Sequence, residues 1–370
     1  MAATEAEAAQ WTVSGSVSGR TEIDTNKDLK GSPSPIYGAT ARLGLQAAAI
    51  TGTSRFGLQT GLSARVFGGS GDTEGLSGTH PDLRADYVYS GKYFDAGTNV
   101  SVQYEPVSFS QIDETGVTDG DALELRIGAG SFVSYALTPR DSVTAGANLS
   151  LVRFTEGTTS LRPTTTIGGN LGWSRALAED TSWNLSLGAR RFTAKEPRSE
   201  ERMTFDLMTA MQHRFTPRFS ANGGIGVTAT ETEGDGYSYG LAGNFSAAWR
   251  AAPDTSYSVS FNHGIEPSSI GELRSSTSFG VGMVHNINSW SDFGLSAAWS
   301  RRSAVGGESS GQPLEEDNDR FRLGSTINFD LARNLSLGLG YGLTIRTDGD
   351  SNALGNRVFM QLTRRFSIIP

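Results

Sequence analysis

The chain has 370 residues, no cysteine, 46 glycines and a formal net charge of −8. A cysteine-free sequence excludes disulfide staples, thiolate metal sites and cysteine nucleophiles, and the acidic balance argues against nucleic-acid binding, which requires a basic face. No apolar run reaches the roughly 20 residues a spanning helix needs. If the chain crosses a membrane it must do so as a closed sheet, because only closure satisfies every backbone N–H and C=O in hydrocarbon.

Residues 1–10 carry neither a basic leader nor an apolar stretch, so they do not read as an export signal. The expectation is a disordered tail on a mature form, or on one with an added Met, followed by a single barrel over 11–370. From there on, strand-length segments alternate with period two. Leu123, Leu125, Ile127, Ala129, Val133 and Tyr135 oppose Glu124, Arg126 and Gly128. Tyr237, Tyr239, Leu241, Phe245, Ala247 and Trp249 oppose Ser238, Gly240, Ala242, Asn244, Ser246 and Arg250, and Phe321, Leu323, Ile327 and Phe329 oppose Arg320, Arg322, Gly324 and Thr326. The clearest case sets Leu335, Leu337, Leu339, Tyr341, Leu343 and Ile345 against Ser336, Gly338, Gly340, Gly342, Thr344 and Arg346. Side chains alternate across a strand, so one face is continuously apolar and the other small and wettable. That is the pattern of a transmembrane β-barrel with lipid outside and a polar interior. Trp11, Tyr37, Tyr135, Trp173, Trp183, Phe215, Phe219, Tyr237, Trp249, Tyr257 and Trp299 fall at or near segment ends, where interfacial aromatic girdles sit.

Strands are predicted near 11–22, 36–50, 55–67, 83–95, 98–109, 122–137, 142–154, 163–176, 182–194, 202–215, 219–230, 237–250, 256–265, 273–287, 292–302, 320–331, 335–347 and 355–368. The fold class is therefore all-β, an antiparallel up-and-down transmembrane barrel of 18 strands, with 16 as the alternative because the N-terminal third is less regular. Pro106 inside the fifth segment predicts a bulge or strand end. Short turns around 137–141, 177–180, 215–218, 252–254, 288–292 and 332–334 recur about every forty residues, the length of two spanning strands with their connections. They alternate with longer polar segments over 68–82, 110–121, 195–201, 264–272 and 304–319, and barrels place short turns on the periplasmic rim and longer loops outside. A propeller shares the forty-residue period, but its inner strands need apolar residues on both faces. A soluble sheet with edge aromatics is the other competitor.

The final segment runs from Asn356 through Val358, Met360, Leu362 and Phe366 to Pro370, with those four residues on one parity. It resembles the C-terminal strand of Gram-negative outer-membrane barrels of a porin-like kind, with a weaker similarity to barrels associated with exopolysaccharide and exosortase systems. The resemblance implies outer-membrane localisation, with Val358, Met360, Leu362 and Phe366 as an assembly signal. Phe366 is not the last residue and Arg364 interrupts the stripe. Implied partners are outer-membrane lipid and lipopolysaccharide, the barrel assembly machinery, and a polysaccharide or periplasmic export partner.

Eighteen strands leave an aqueous interior. No plug-sized segment precedes the first strand and no loop is much longer than sixteen residues, so neither a gated active transporter nor a long inward constriction loop is expected. The pore-lining candidates are Arg42, Arg65, Arg84, Asp86, Glu124, Arg126, Arg190, Asp206, Arg320, Arg322, Arg346 and Arg357, a cationic excess that predicts mild anion preference or binding of an acidic saccharide. Pairing of those arginines with neighbouring carboxylates is the alternative.

Acidic loop residues Glu308, Glu315, Glu316, Asp317 and Asp319 read as solvated. Asp24, Asn26 and Asp28, and Asp348, Asp350 and Asn352, share only the opening spacing of calcium loops, without the Gly and distal Glu of an EF-hand. No metal or cofactor is expected. His213 and His285 are placed on the lipid parity near the turn rim, and His80 and His263 at the loop side. His263 and Glu266 beside Ser268 or Ser269 are the weak candidates for a hydrolase, without any nucleophile-elbow signature. The expected function is a channel or export pore passing small polar or anionic solutes or saccharide by passive diffusion. The alternatives are a non-conducting scaffold that binds polysaccharide or a partner protein through its loops, and an outer-membrane hydrolase.

Overall fold

The computed structural model describes residues 9–27, 29, 33–70, 73, 76–110, 122–155, 161–194, 200–232, 236–268, 273–304, 318–348 and 351–369. In chain order the strands are β1 (Gln10–Asp24), β2 (Ile36–Ile50), β3 (Ser54–Gly69), β4 (Gly78–Ser90), β5 (Phe94–Pro106), β6 (Leu123–Ala136), β7 (Asp141–Phe154), β8 (Thr164–Ala178) and β9 (Thr181–Ala194). They continue as β10 (Glu200–Thr216), β11 (Phe219–Thr232), β12 (Gly236–Ala252), β13 (Thr255–Pro267), β14 (Leu273–Asn288), β15 (Ser291–Ala304), β16 (Asn318–Ala332), β17 (Leu335–Asp348) and β18 (Ser351–Ile369). One short helix, α1 (Val107–Ser110), follows β5.

Each strand pairs antiparallel with its sequence neighbours, and β1 pairs with β18 from Val13 opposite Ile369 to Asp24 opposite Arg357. The sheet is an 18-stranded closed barrel with no free edge. At the closing seam the Phe366 ring lies over Gly15 of β1, where any Cβ would collide with it.

The two parities become two walls. Large apolar side chains such as Ile225, Leu241, Leu339 and Val358 are exposed on one face. The other parity converges: Arg20 of β1, Ser256 of β13, Ser296 of β15, Arg322 of β16 and Arg357 of β18 line one cavity of about 830 Å³. Strands that far apart around the sheet share a space only across the interior. The strands run 13 to 19 residues, longer than the 9–11 a tilted strand needs to cross the hydrocarbon, so their ends project beyond it.

The short turns form one rim. Hairpins β8–β9, β10–β11, β12–β13, β14–β15 and β16–β17 each carry a register shift immediately before the turn, a bulge that sharpens strand twist. Aromatic pairs cluster there: Trp173 with Trp183, Phe215 with Phe219, and Trp249 with Tyr257, at centroid separations of 5.1, 5.1 and 5.6 Å.

Three sequence expectations need correction. The fourth turn is Gly91-Lys92-Tyr93, so β4 and β5 begin about four to five residues earlier than predicted. Residues 96–97, which fall between the predicted fourth and fifth segments, lie inside β5, where the Phe132 ring occupies the place of a Gly97 side chain. The predicted fifth strand through 109 stops at Pro106, which has no N–H to continue a ladder, and residues 107–110 turn into α1. Gln10, expected in the tail, already belongs to β1. Residues 1–8, most of 110–121, and Asp28, Ser269, Glu308, Glu315, Glu316, Asp317 and Asp350 lie outside the described residues.

Candidate functional site: the lumen and its mouth

All twelve predicted lining residues have the inward parity, but they are not equivalent. Around β2 to β6 most of the charges are matched, although Arg84 of β4 is exposed on the inner face. Arg42 reaches Asp82 at 2.7 Å, Arg65 reaches Glu105 at 4.0 Å, and Arg126 donates from Nε to Glu124 at 2.7 Å. Farther round, Arg190 reaches Asp206 at 3.2 Å, and Asp206 also accepts the Thr228 hydroxyl at 2.9 Å. Asp86 fills the space above Gly57, with a carboxylate oxygen 2.7 Å from where a Cβ would stand. Solvent-exposed pairs such as Arg42–Asp82 contribute about 0–1 kcal/mol. Their effect is to hold guanidinium groups against the wall.

The sector β16–β17–β18–β1 is rich in arginine. It carries Arg320, Arg322, Arg346, Arg357 and Arg20, with Arg346 directly opposite Arg320 across the β16–β17 ladder, together with Glu22 and Asp24 toward the loop rim and Asp330 toward the turn rim. Arg322 and Arg357 are exposed although they point inward, so water in the lumen reaches them. Arg320 is instead buried. Arg20 and Glu22 are absent from the predicted lining set because Val17, Thr21 and Ile23 make a weak apolar stripe. Glu22 binds Arg20 at 2.9 Å, and the Arg20 guanidinium lies 4.0 Å above the Phe359 ring.

Glu124 lines no open water. It is 1% exposed, accepting from Ser110 Oγ at 2.5 Å on one oxygen and from Arg126 on the other. It pins α1 to the inner wall. Val107 N–H bonds Ala122 O at 2.9 Å, and Val107, Ala122 and Leu161 form a small apolar cluster with Phe154. A hydrogen bond to a charged group is worth about 1.5–3 kcal/mol, and a buried acceptor lost here leaves Ser110 and Arg126 without it. Glu124→Ala is therefore expected to release α1 at a local cost of about 3 kcal/mol, read as lost hydrogen-exchange protection at the Val107 amide while β12–β15 keep theirs.

From α1, Phe109 reaches Phe67 of β3, with ring centroids 5.8 Å apart. The Lys27 ammonium lies 3.0 Å from the Phe109 centroid and the Arg65 guanidinium 4.2 Å from it. Lys27 comes from the β1–β2 connection, which also folds inward. Asn26 is buried and donates from Nδ2 to Leu354 O at 3.2 Å, and Leu29, at φ 49°, packs over Gly355, where a Cβ would meet Asn26 O at 2.8 Å. Leu76 from the β3–β4 connection joins Ile36 and Phe67 in a second apolar cluster that touches Phe109. Connections expected to be polar and outward thus fold into the mouth on the β1–β8 side. Their signal in the sequence is a lone leucine inside each polar stretch: Leu29, Leu76 and Leu161.

Burial lowers the Lys27 ammonium from 10.5 to about 7, against the opposing pull of Glu22 and Asp24. The docked lysine binds fewer protons than a released one between those values, so the docked arrangement gains stability as pH rises from about 7 to 10.5 and loses it as pH falls. The β1–β2 connection is expected to become more resistant to proteolysis over that window, and Lys27→Met to abolish the dependence. Limited proteolysis at three pH values across the window, scaled to an unstructured peptide substrate, checks this.

His213 and His285 hold their expected places, each bonding a threonine hydroxyl beside a turn, Thr181 at 2.7 Å and Thr255 at 2.9 Å. His80 is buried on the inner face. His263 bonds Thr277 at 2.8 Å on the outer parity, whereas Glu266 has the inner parity, opposite Arg274. The wall separates that pair, so they make no dyad. Asp24 accepts the Asn26 N–H at 2.9 Å, a local turn, and among the described residues no group of three or more His, Asp or Glu could hold a metal ion.

No family model matches the sequence, and no curated protein matches it. Solved structures do match. OpdL of Pseudomonas aeruginosa aligns over 97% of this chain and 99% of its own, with TM-score 0.52 and 10% identity. OpdQ of the same organism aligns over 97% and 99%, with TM-score 0.51 and 9% identity. The outer membrane protein OprD, also from P. aeruginosa, aligns over 99% and 98%, with TM-score 0.50 and 11% identity. What the chain shares with them is the porin-like outer-membrane barrel fold.

Proposed function

We propose that this chain is a Gram-negative outer-membrane channel that passes small polar solutes by passive diffusion with a preference for anions, and that it is not an enzyme. The observation that carries the reading is the arginine sector, where Arg322 and Arg357 stand exposed on the inner wall beside an 830 Å³ space. Arg322 and Arg357 also line a 200 Å³ space with Lys27 and Phe109 at the mouth, so the route from loop rim to mid-lumen follows them. Rings of cationic side chains select anions in pores, and the fold likeness to outer membrane proteins supports the setting. Delivery there needs assembly, for which the stripe Val358, Met360, Leu362 and Phe366 is the proposed signal.

A non-conducting scaffold is the second reading, favoured by the inward clasp of Lys27 on Phe109 over the mouth. Purified protein in a planar bilayer separates them. Stable unitary steps with a reversal potential on the anion side of a salt gradient are the expected result. Cation preference eliminates the anion assignment, and absence of steps gives the scaffold.

A further inference from the structure

The barrel closes at every seam, but its ladders are not equally long. β13 pairs with β12 from Thr255 opposite Ala252 up to His263 opposite Gly243, and no farther. Both strands continue toward the loop rim with their other neighbours, β12 to Gly236 opposite Thr232 of β11 and β13 to Pro267 opposite Leu273 of β14. Residues Gly236–Ala242 therefore have no ladder partner on the β13 side. The β4–β5 seam also stops early, at Asp82 opposite Gln103, but the residues beyond it include Pro81 and Pro106, which have no N–H to leave unpaired.

Beyond Gly264 the β13–β14 hairpin tips inward. Ile265 and Leu273 continue the parities of Phe261 and Phe279, which face outward and are exposed, yet both are buried. Ile265 Cδ1 lies 2.6 Å from where a Cβ on Gly240 would stand. Gly240 has the inward parity, so Ile265 has passed behind β12. Tyr239 and Leu241, left without a neighbour on that side, are 79% and 70% exposed. The depth of this parting follows from the strand. Trp249 belongs to the turn-side girdle, and a tilted strand crosses the hydrocarbon in about 9–11 residues, which puts the loop-side interface near Tyr239. The unpaired stretch straddles that boundary, where an unsatisfied backbone N–H or C=O is costly.

We propose that the parting of β12 and β13 is a lateral opening through which single-chain amphiphiles, with one alkyl tail and a small uncharged polar head, pass between the outer leaflet and the lumen. The head hydrogen-bonds the freed backbone of Gly236–Ala242, and the tail lies along Tyr239, Leu241 and Ile265. A pure hydrocarbon leaves that backbone unpaired, and a wholly polar solute gains nothing from the exposed apolar lip. Residues 236–242 carry no acidic or basic side chain, which suits an uncharged head. One isoleucine fills the gap, which suits one tail and not the two of a phospholipid. The opening rests on the membrane-spanning barrel and not on anion preference, so a cation-selective or non-conducting protein leaves it standing.

Fluorescence quenching in phosphatidylcholine vesicles tests this, using the full chain, whose lack of cysteine permits a single label. A bimane is attached at Ala242→Cys, of inward parity beside the parting, or at Thr344→Cys, also inward but paired on both sides, with Arg322 and Gly355. The probe is octadecanol carrying a nitroxide on its chain. Quenching at position 242 is expected to be roughly threefold stronger than at 344, where the paired wall keeps hydrocarbon and lumen apart. Ile265→Ala is expected to raise the ratio and Ile265→Trp, which enlarges the obstruction, to bring it close to one. Phosphatidylcholine with the same nitroxide is expected to quench the two positions equally. Equal quenching by the alcohol, or a ratio that ignores both Ile265 variants, overturns the opening. Quenching at 242 by a nitroxide-labelled extended peptide in the outer medium, without quenching by the alcohol, also overturns it and makes the bare β12 edge a strand-docking site.

Discussion

Glutamate at both Arg322 and Arg357 is expected to turn the proposed anion preference of the lumen into a cation preference. Each replacement changes the local charge by two, at positions that lumen water reaches and that line both the mouth space and the mid-lumen cavity. At 4 Å a unit charge acts on a passing ion with about 1 kcal/mol in bulk water and about 4 kcal/mol at an effective dielectric of 20. A narrow passage between protein walls lies between these limits. Since about 1.4 kcal/mol is a factor of ten, the permeability ratio should move by more than tenfold and the reversal potential should change sign. The double lysine variant keeps the charge and should keep the selectivity. Glutamate at Arg190 should do far less, because that arginine already faces Asp206 at 3.2 Å. If the reversal potential of the double glutamate variant stays on the anion side, the arginine sector does not set selectivity.

The same sector shows what a sequence can and cannot reveal here. Strand number was legible because every hairpin repeats the alternation of oily and wettable residues, and a one-residue slip would put Leu337 or Leu339 in water and Gly338 in lipid. The inward parity of all twelve charged candidates follows from that alternation alone. Their partners do not, because Arg42 meets Asp82 across an intervening strand, over Gly61, and such pairs exist only once registers are fixed. Nor does the alternation say what an inward aromatic packs on. Phe67, Phe132 and Phe359 point inward, each seated on a cross-strand glycine, Gly38, Gly97 or Gly340. The misplacement of β4 and β5 has the same origin, since the predicted break at 96–97 falls inside β5, where Gly97 lies under Phe132. The inward fold of α1 rests on a buried carboxylate, Glu124, that in sequence is one more polar residue in an alternating strand.

The whole arrangement depends on which wall meets hydrocarbon, and Ile225 is the place to ask. It lies at the middle of β11, is 72% exposed, and is flanked across the sheet by Thr209 and Gly243, which give it no shelter. Arginine at a lipid-facing midplane position costs a barrel about 2–4 kcal/mol, falling toward zero near the interfaces. Ile225→Arg should therefore lower folding stability in lipid bilayers by that amount, measured by urea titration in vesicles. Asn244 is the matched control: it is on β12, one ladder away and of inward parity, opposite Gly224 and Asn262. Asn244→Arg puts the same charge into lumen water and should stay within about 0.5 kcal/mol of the parent, as surface substitutions do. The difference between the two variants is the quantity of interest, because expression, detergent and unfolded-chain effects are common to both. Equal losses would mean that the faces do not see different solvents. A larger loss at Asn244 would mean that the small polar wall is a packed core, and with it the water-filled passage and its arginine route would disappear.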